Sequence, residues 1–309
     1  MLFRSPGGDL LLGEDQAGLA ALAARGLSRG VPGMDAPAVR EFLADRTTRL
    51  SIRAGRDQFT LHLKFPSRFT RDVLDLVREV VLNPTWPREE VERAREEQLS
   101  DIVEQEDQPL GLMFRNAFPF LFEGHPLGSY HLGQPGEVVE YSREQLSSFW
   151  ELQRSQPLSV AVCGDFDRTR VFTFVKSLTK QSPEAAPLPG APEWTESREL
   201  NLTLAERNQS HLLVLFPVAG LRHEDTAGLS LFKTVMAGQG GVLFRELRDR
   251  QGLGYSVTAM LWQVPETGFL AFYIGTYPDK VDQALESFRD IVHRLQEEAL
   301  TEGDLERAK

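Results

Sequence analysis

The same succession of elements occurs twice in this chain, and this repeat restricts the fold more than any other feature of the sequence. Around Pro66 an alternating apolar segment runs into an aromatic-proline turn, an amphipathic helix and a second helix that ends in VERAR. Around Pro278, 212 residues further on, the same order ends in LERAK. Upstream, GLAALAARGL and VREFLADR are matched in order by GLSLFKTVMAG and LFRELRDR. Four landmarks at nearly constant spacing favour a duplicated unit over a chance succession of generic strands and helices.

A segment rich in proline, alanine and glycine separates the two copies. Proline fixes φ and disfavours helix in the residue before it, so we interpret residues 182–198 as an extended linker. We predict an N-terminal domain over residues 1–181 and a C-terminal domain over residues 199–309. Each mixes strands with helices, which predicts an α+β fold with helices packed on one face of a sheet. Residues 200–220 predict the first two strands of the second domain.

Neither end of the chain carries a typical boundary signal. Residues 1–16 show neither the basic-then-apolar order of a signal peptide nor a recognisable first strand. The other end, LERAK, stops inside a predicted helix without a glycine or proline to end it. We therefore expect the first domain to be truncated at its start and the second at its end.

Composition excludes several classes of protein. With 34 Lys and Arg against 45 Asp and Glu, the net charge is −11, and no clustered basic face offers the phosphate contacts of a nucleic-acid binder. No apolar run approaches the roughly 18 residues of a membrane span. The single cysteine, Cys163, excludes an internal disulfide, and its place in PLSVAVCGDFD predicts a small hydrophobic residue in a buried strand. We expect a soluble protein, cytoplasmic or periplasmic, in a compartment that the sequence does not specify.

The common catalytic motifs are missing from the sequence. No two of the six histidines are four residues apart, the spacing that places two imidazoles on one helical face toward a metal. His125 and His131 lie in the loop GHPLGSYHLG, where we expect solvated or turn-capping side chains. There is no Gly-x-Ser-x-Gly elbow, phosphate-binding loop or dinucleotide fingerprint.

Two long segments nevertheless resemble a known family. MAGQGGVLFRELRDRQGLGYSVTAML followed by ETGFLAFYIGTYPDK is similar to the C-terminal domain of the insulinase/pitrilysin/mitochondrial processing peptidase family of zinc metallopeptidases. GLAALAARGLSRG, LNPTWPREEVERAREEQLSDIVEQEDQPLG and GHPLGSYHLGQPGEV resemble its N-terminal domain. The resemblance covers nearly the whole chain and implies two homologous α/β-sandwich domains of the processing-peptidase-like metallohydrolase fold, each a mixed sheet with helices on one face.

The metal motif of that family is degenerate in this sequence. The resemblance implies His-x-x-Glu-His on a helix, with a distant Glu as third zinc ligand, and places Ala21 and Arg25 at the two histidines and Ala24 at the general base. Asp101 falls near the third-ligand position, where we interpret it as a surface acid. Because alanine has no donor atom and a guanidinium repels a cation, we expect no metal and no catalytic residue on this segment.

One functional pair of the family is retained. The resemblance implies an Arg and a Tyr seven residues apart in the C-terminal half, which bind a substrate carbonyl and its oxyanion, and RDRQGLGY supplies Arg248 and Tyr255 at that spacing. A guanidinium and a phenol are donors suited to developing negative charge. The alternative is a solvated helix arginine and a packed strand tyrosine.

These residues predict the non-catalytic half or subunit of an insulinase-type zinc metalloendopeptidase. We expect this segment alone to be inactive, with zinc in an HxxEH-bearing half of the same chain or in a partner subunit, and with peptides as substrates. The alternative function is a catalytically inactive scaffold of the same fold, as in respiratory-complex core subunits. A third hypothesis is a self-sufficient metalloenzyme with a different ligand set.

Overall fold

A computed structural model describes most of the chain as two compact units. The described residues are 1–179, 184–192, 197–204 and 208–308. Unit 1 comprises Met1–Pro189 and unit 2 comprises Gly190–Lys309. Within the predicted linker, residues 182, 183 and 193–196 lie outside the described residues, and the described remainder contains no helix or strand. The assignment of residues 1–181 and 199–309 as two peptidase-like domains stays a prediction.

Unit 1 contains a four-stranded sheet with the order β4-β5-β1-β6. Its strands are β1 (Leu2–Pro6), β4 (Arg49–Ala54), β5 (Gln58–Lys64) and β6 (Ser159–Ala161), and a small hairpin is formed by β2 (Gly30–Val31) and β3 (Met34–Asp35). All these pairs are antiparallel. The described part of the sheet is therefore antiparallel rather than mixed, and a short hairpin connection accounts for the pairing of β4 with β5.

Eight α-helices accompany this sheet in the described part of unit 1. They are α1 (Leu19–Gly26), α2 (Ala36–Asp45), α3 (Thr70–Leu82), α4 (Arg88–Asp107), α5 (Pro109–Leu121), α6 (Pro135–Val138), α7 (Arg143–Arg154) and α8 (Arg168–Thr179). Alternate residues of β5, namely Phe59, Leu61 and Leu63, are buried under these helices. Thr60 and His62, between them, are more exposed. The prediction of helices on one face of a sheet is confirmed for unit 1.

Two sequence-based expectations about this sheet are wrong. Residues 1–16 do contain a strand, β1, which pairs with β5 on one side and β6 on the other. The alternating apolar pattern of β1 cannot be recognised in the sequence, because the second inward-facing residue is the small polar Ser5 rather than an apolar residue. Cys163 is exposed rather than buried, because β6 is a three-residue edge strand that ends at Ala161, before the cysteine.

Unit 2 is built around a fully buried central strand. The sheet has the antiparallel order β7-β9-β8, with β7 (Ser210–Ala219), β8 (Gly254–Gln263) and β9 (Thr267–Thr276). Every residue of β9 is buried. Of the two strands expected in residues 200–220, only β7 forms within the described residues. Residues 200–204 are not in a strand, and residues 205–207 lie outside the described part of the chain.

The helices of unit 2 cover one face of β9. They are α9 (Thr226–Met236), a π-helix (Phe244–Arg250), α10 (Val281–Glu297) and α11 (Glu302–Ala308). Phe288 and Ile291 of α10 pack with Leu270 and Phe272 of β9 in one cluster. In the described residues of both units, no helix has the length and hydropathy that crossing a bilayer requires.

Candidate functional site

A tight turn joins the π-helix to β8 and determines where Arg248 and Tyr255 lie. Gly252 has φ +60°, a conformation that glycine adopts without steric cost, and the Leu253 amide donates to the Leu247 carbonyl at 2.8 Å. Leu253 is fully buried and anchors the turn. At Gly254 a β-carbon would lie 2.2 Å from the Gly275 carbonyl oxygen, so only glycine allows β8 to begin this close to β9.

Arg248 and Tyr255 are in direct contact across this turn. The guanidinium Nη1 donates to the Tyr255 carbonyl at 3.1 Å. Its central carbon lies 4.7 Å from the centre of the Tyr255 ring and 4.6 Å from that of Phe244. The arginine is therefore held between two aromatic rings, which favours one orientation of the guanidinium.

Tyr255 projects into solvent, with 79% of its surface exposed. The register of β8 against β9 shifts between Gly254 and Ser256, so Tyr255 is the extra residue of a bulge and has no partner on β9. Among the described residues, no group hydrogen-bonds its phenol oxygen. An exposed phenol beside a guanidinium offers two donors to a carbonyl or an oxyanion.

At the other candidate position, Ala21 and Ala24 lie in the buried part of α1. Arg25 follows them and is partly exposed, and its Nη2 donates to Asp101 Oδ2 on α4. Asp101 lies at the surface of α4, with 46% of its side chain exposed, and is bound to Arg25. The sequence indicates a pair between Arg25 and Asp101 only when both positions are aligned on the family motif.

The residues at this position do not fit a zinc ion. Two alanine methyl groups offer no lone pair, the guanidinium is cationic, and the one carboxylate is already neutralised by Arg25. Among the described residues, no group of three or more His, Cys, Asp and Glu side chains is arranged to hold a metal. That this segment carries no zinc stays a prediction, which the thermal midpoints measured with zinc and with EDTA test.

A buried glutamine sets the position of α1 against α4, and the sequence alone did not single it out. Gln98 on α4 is fully buried, and its Nε2 donates to the carbonyls of Gly18 at 3.0 Å and Leu132 at 2.8 Å. Gly18 precedes α1 with φ +84° and leaves no space for a side chain. Gln98 lies in a helix rich in acidic surface residues, and its sequence context does not indicate that its own side chain is buried.

The loop histidines have separate partners. His125 Nδ1 accepts from the Leu127 amide at 3.1 Å, which caps the turn as predicted. His131 Nδ1 lies 2.8 Å from Oδ2 of Asp9, a fully buried carboxylate, rather than being solvated.

A strand histidine of unit 2 is also partnered. His211 on β7 contacts the Tyr273 hydroxyl at 2.9 Å, and burial lowers the pKa of His211.

The chain matches known proteins over most of its length. Residues 141–309, more than half of the chain, match the model of the peptidase M16 inactive domain. A protein of Mycobacterium tuberculosis named an uncharacterized zinc protease is 28% identical over 244 residues, which are 76% of this chain and 56% of that protein. The non-peptidase homolog YmxG of Helicobacter pylori is 19% identical over 310 residues, 98% of this chain and 71% of the relative.

A solved structure shows the same fold. The peptidase M16 inactive domain from Pseudomonas fluorescens superposes with a TM-score of 0.88 at 21% identity, over 99% of this chain and 76% of that one. The fold is thus that of an M16 inactive domain, and the chain belongs to the peptidase M16 family, as its resemblance to zinc metallopeptidases indicated. The chain spans just over half the length of the mycobacterial relative.

Proposed function

We propose that this chain is the non-catalytic half of an M16 zinc metalloendopeptidase, in which Arg248 and Tyr255 bind peptide substrate. The observation that carries the proposal is the contact of the partly exposed Arg248 with the exposed Tyr255, in a chain whose motif positions lack zinc ligands. The zinc and the general base belong to an HxxEH-bearing half of the same protein or to a partner subunit. This chain adds donors and a wall of the substrate chamber.

The chemistry of the pair supports this role. Hydrolysis of a peptide bond develops negative charge on the carbonyl oxygen, and preorganised donors aimed at that oxygen stabilise the transition state. Arg248 is held by Phe244, by the Tyr255 ring and by the Tyr255 carbonyl. Its remaining N–H groups and the Tyr255 phenol are available to a substrate. Neither donor needs a metal on this chain.

A scaffold without peptidase activity is the second candidate. The Helicobacter pylori relative is named a non-peptidase homolog, so catalysis is not attributed to every protein similar to this chain. A scaffold has no chemical need for a partly exposed arginine held against an exposed tyrosine, so the pair favours the peptidase half.

The test is a purification from the native host through an affinity tag on this chain. We expect an HxxEH-bearing polypeptide with stoichiometric zinc in the assembly, and cleavage of a quenched fluorescent peptide. Arg248→Ala combined with Tyr255→Phe should lower kcat by about 10²-fold or more, with the thermal midpoint unchanged. Arg289→Ala, an exposed arginine of α10, is the matched control and should retain full activity. Unchanged cleavage in the double variant, or no peptidase in the assembly, contradicts the proposal.

A further inference from the structure

Two cationic side chains flank the turn that carries Tyr255. Arg248 donates to the Tyr255 carbonyl at 3.1 Å, and Lys280 donates from Nζ to the Gly252 carbonyl at 3.0 Å. These carbonyls are three residues apart, which limits their separation to about 11 Å. Both charges therefore lie at one end of the sheet of unit 2, within reach of the same short peptide.

A second exposed tyrosine lies beside this turn. Thr276 at the end of β9 pairs with Gly254 at the start of β8, and its hydroxyl donates to the Leu253 carbonyl at 2.5 Å. Tyr277 is the next residue, and 58% of its surface is exposed. The Lys280 Nζ lies 5.8 Å from the centre of its ring. The same end of the sheet thus presents two tyrosine rings, each accompanied by a cation.

Neither cation is neutralised by a carboxylate of the described residues. Other arginines of unit 2 do have carboxylate partners: Arg222, Arg245, Arg250, Arg294 and Arg307. Arg248 and Lys280 instead donate to backbone carbonyls, which leaves their charge available. In a chain with a net charge of −11, these two cations lie close together without a carboxylate partner among the described residues.

We propose that Arg248, Tyr255, Tyr277 and Lys280 form one peptide-binding surface whose preferred ligand carries a carboxylate. The carboxylate comes from a peptide C-terminus or from an Asp or Glu side chain, and it binds between the guanidinium and the ammonium by charge-assisted hydrogen bonds. The tyrosine rings contact the apolar parts of the same peptide. The assignment rests on the proposed function and adds a ligand class to it, with Lys280 and Tyr277 as specificity-determining residues.

The test measures binding of three dye-labelled hexapeptides to the whole chain by fluorescence anisotropy. The first has a central Gln and an amidated C-terminus, the second replaces that Gln by Glu, and the third retains Gln but has a free C-terminal carboxylate. We expect the peptides with a carboxylate to bind about threefold or more tightly than the neutral one, and the preference to weaken as salt is added. Whichever of the two binds more tightly identifies the source of the carboxylate.

Variants separate Lys280 from a general charge effect. Lys280→Gln should weaken the preference for a peptide with a carboxylate, and Lys280→Arg should restore this preference. Tyr277→Ala should lower the affinity for all three peptides by a similar factor. The matched control is Lys176→Gln, which removes the same charge from a lysine 4.5 Å from the ring of the exposed Phe172 in unit 1, and which should keep the preference.

The outcomes distinguish this assignment from the proposed function. Equal affinity for the three peptides, or a preference that Lys280→Gln leaves intact, overturns the carboxylate assignment and leaves the proposed function standing. Failure to bind any peptide contradicts both. Circular dichroism of each variant verifies that it is folded, and Tyr277→Leu replaces Tyr277→Ala if the smaller side chain prevents folding.

Discussion

Arg25 on α1 donates a hydrogen bond to Asp101 on α4, and the family resemblance predicts that these two positions are those of metal ligands. In a zinc site the dication would join the two helices and neutralise the carboxylate. Here a guanidinium on one helix neutralises the carboxylate on the other directly. The contact between α1 and α4 is thus made through a cation that is part of the protein.

We expect a measurable coupling free energy between Arg25 and Asp101. Their side chains are 25% and 46% exposed, so the coupling should be about 0.5 to 1 kcal/mol and should fall at high salt. Urea unfolding of Arg25→Ala, Asp101→Ala and the double variant measures it. The Arg46–Asp72 pair, with exposures of 23% and 48%, is the reference for an ordinary surface pair. A coupling near zero alongside a normal reference value contradicts the contact.

We also expect zinc to leave the stability of this chain unchanged. A ligand that binds only the folded state raises the thermal midpoint, so the absence of binding predicts equal midpoints with zinc and with EDTA. The matched variant combines Ala21→His with Arg25→His and retains Asp101, so that three potential ligands are present. Its midpoint should rise with zinc. A zinc-dependent rise in the unmodified chain would revive the hypothesis of a metalloenzyme with a different ligand set.

The sequence predicted helices packed against a sheet, because strands and helices keep their periodicity even where individual residues differ. It failed where a single side chain decides the outcome. β1 was missed because Ser5 replaces an inward apolar residue, and Cys163 was misplaced because the length of an edge strand does not follow from local pattern. The Arg25–Asp101 contact joins residues 76 positions apart, and helix periodicity does not specify such pairs.

Gln98 should contribute more to stability than its sequence context indicates. Replacing it with Leu leaves the Leu132 carbonyl without its donor and the Gly18 carbonyl with the Leu22 amide alone, which should cost about 1 to 3 kcal/mol in the free energy of unfolding. Glu104→Leu, at an exposed position of the same helix, is the control and should change stability by less than about 0.5 kcal/mol. Chemical unfolding of both variants measures the difference. Equal effects would show that the two hydrogen bonds are not formed.

Cys163 should react with a thiol reagent in the folded protein. Because the side chain is exposed, one equivalent of thiol should react with 5,5′-dithiobis(2-nitrobenzoate) at about the rate seen in urea. Cys163→Ser should change the free energy of unfolding by less than about 0.5 kcal/mol. Slow labelling that speeds up only on unfolding would place the cysteine in the core, as the sequence pattern had indicated.

His211 should make unit 2 less stable in mild acid. Burial lowers its pKa from the ordinary 6.5, so the unfolded chain binds a proton at a higher pH than the folded chain does. The stabilising contribution of the neutral imidazole is therefore complete above pH 6.5 and is lost as the pH falls toward the folded-state pKa. His211→Asn should flatten the pH dependence of the thermal midpoint between about pH 7.5 and 5. Tyr273→Phe removes the hydroxyl at 2.9 Å but leaves the burial, so it should preserve that dependence. If His211→Asn and the unmodified protein lose stability in parallel over this range, burial of the imidazole is not the cause.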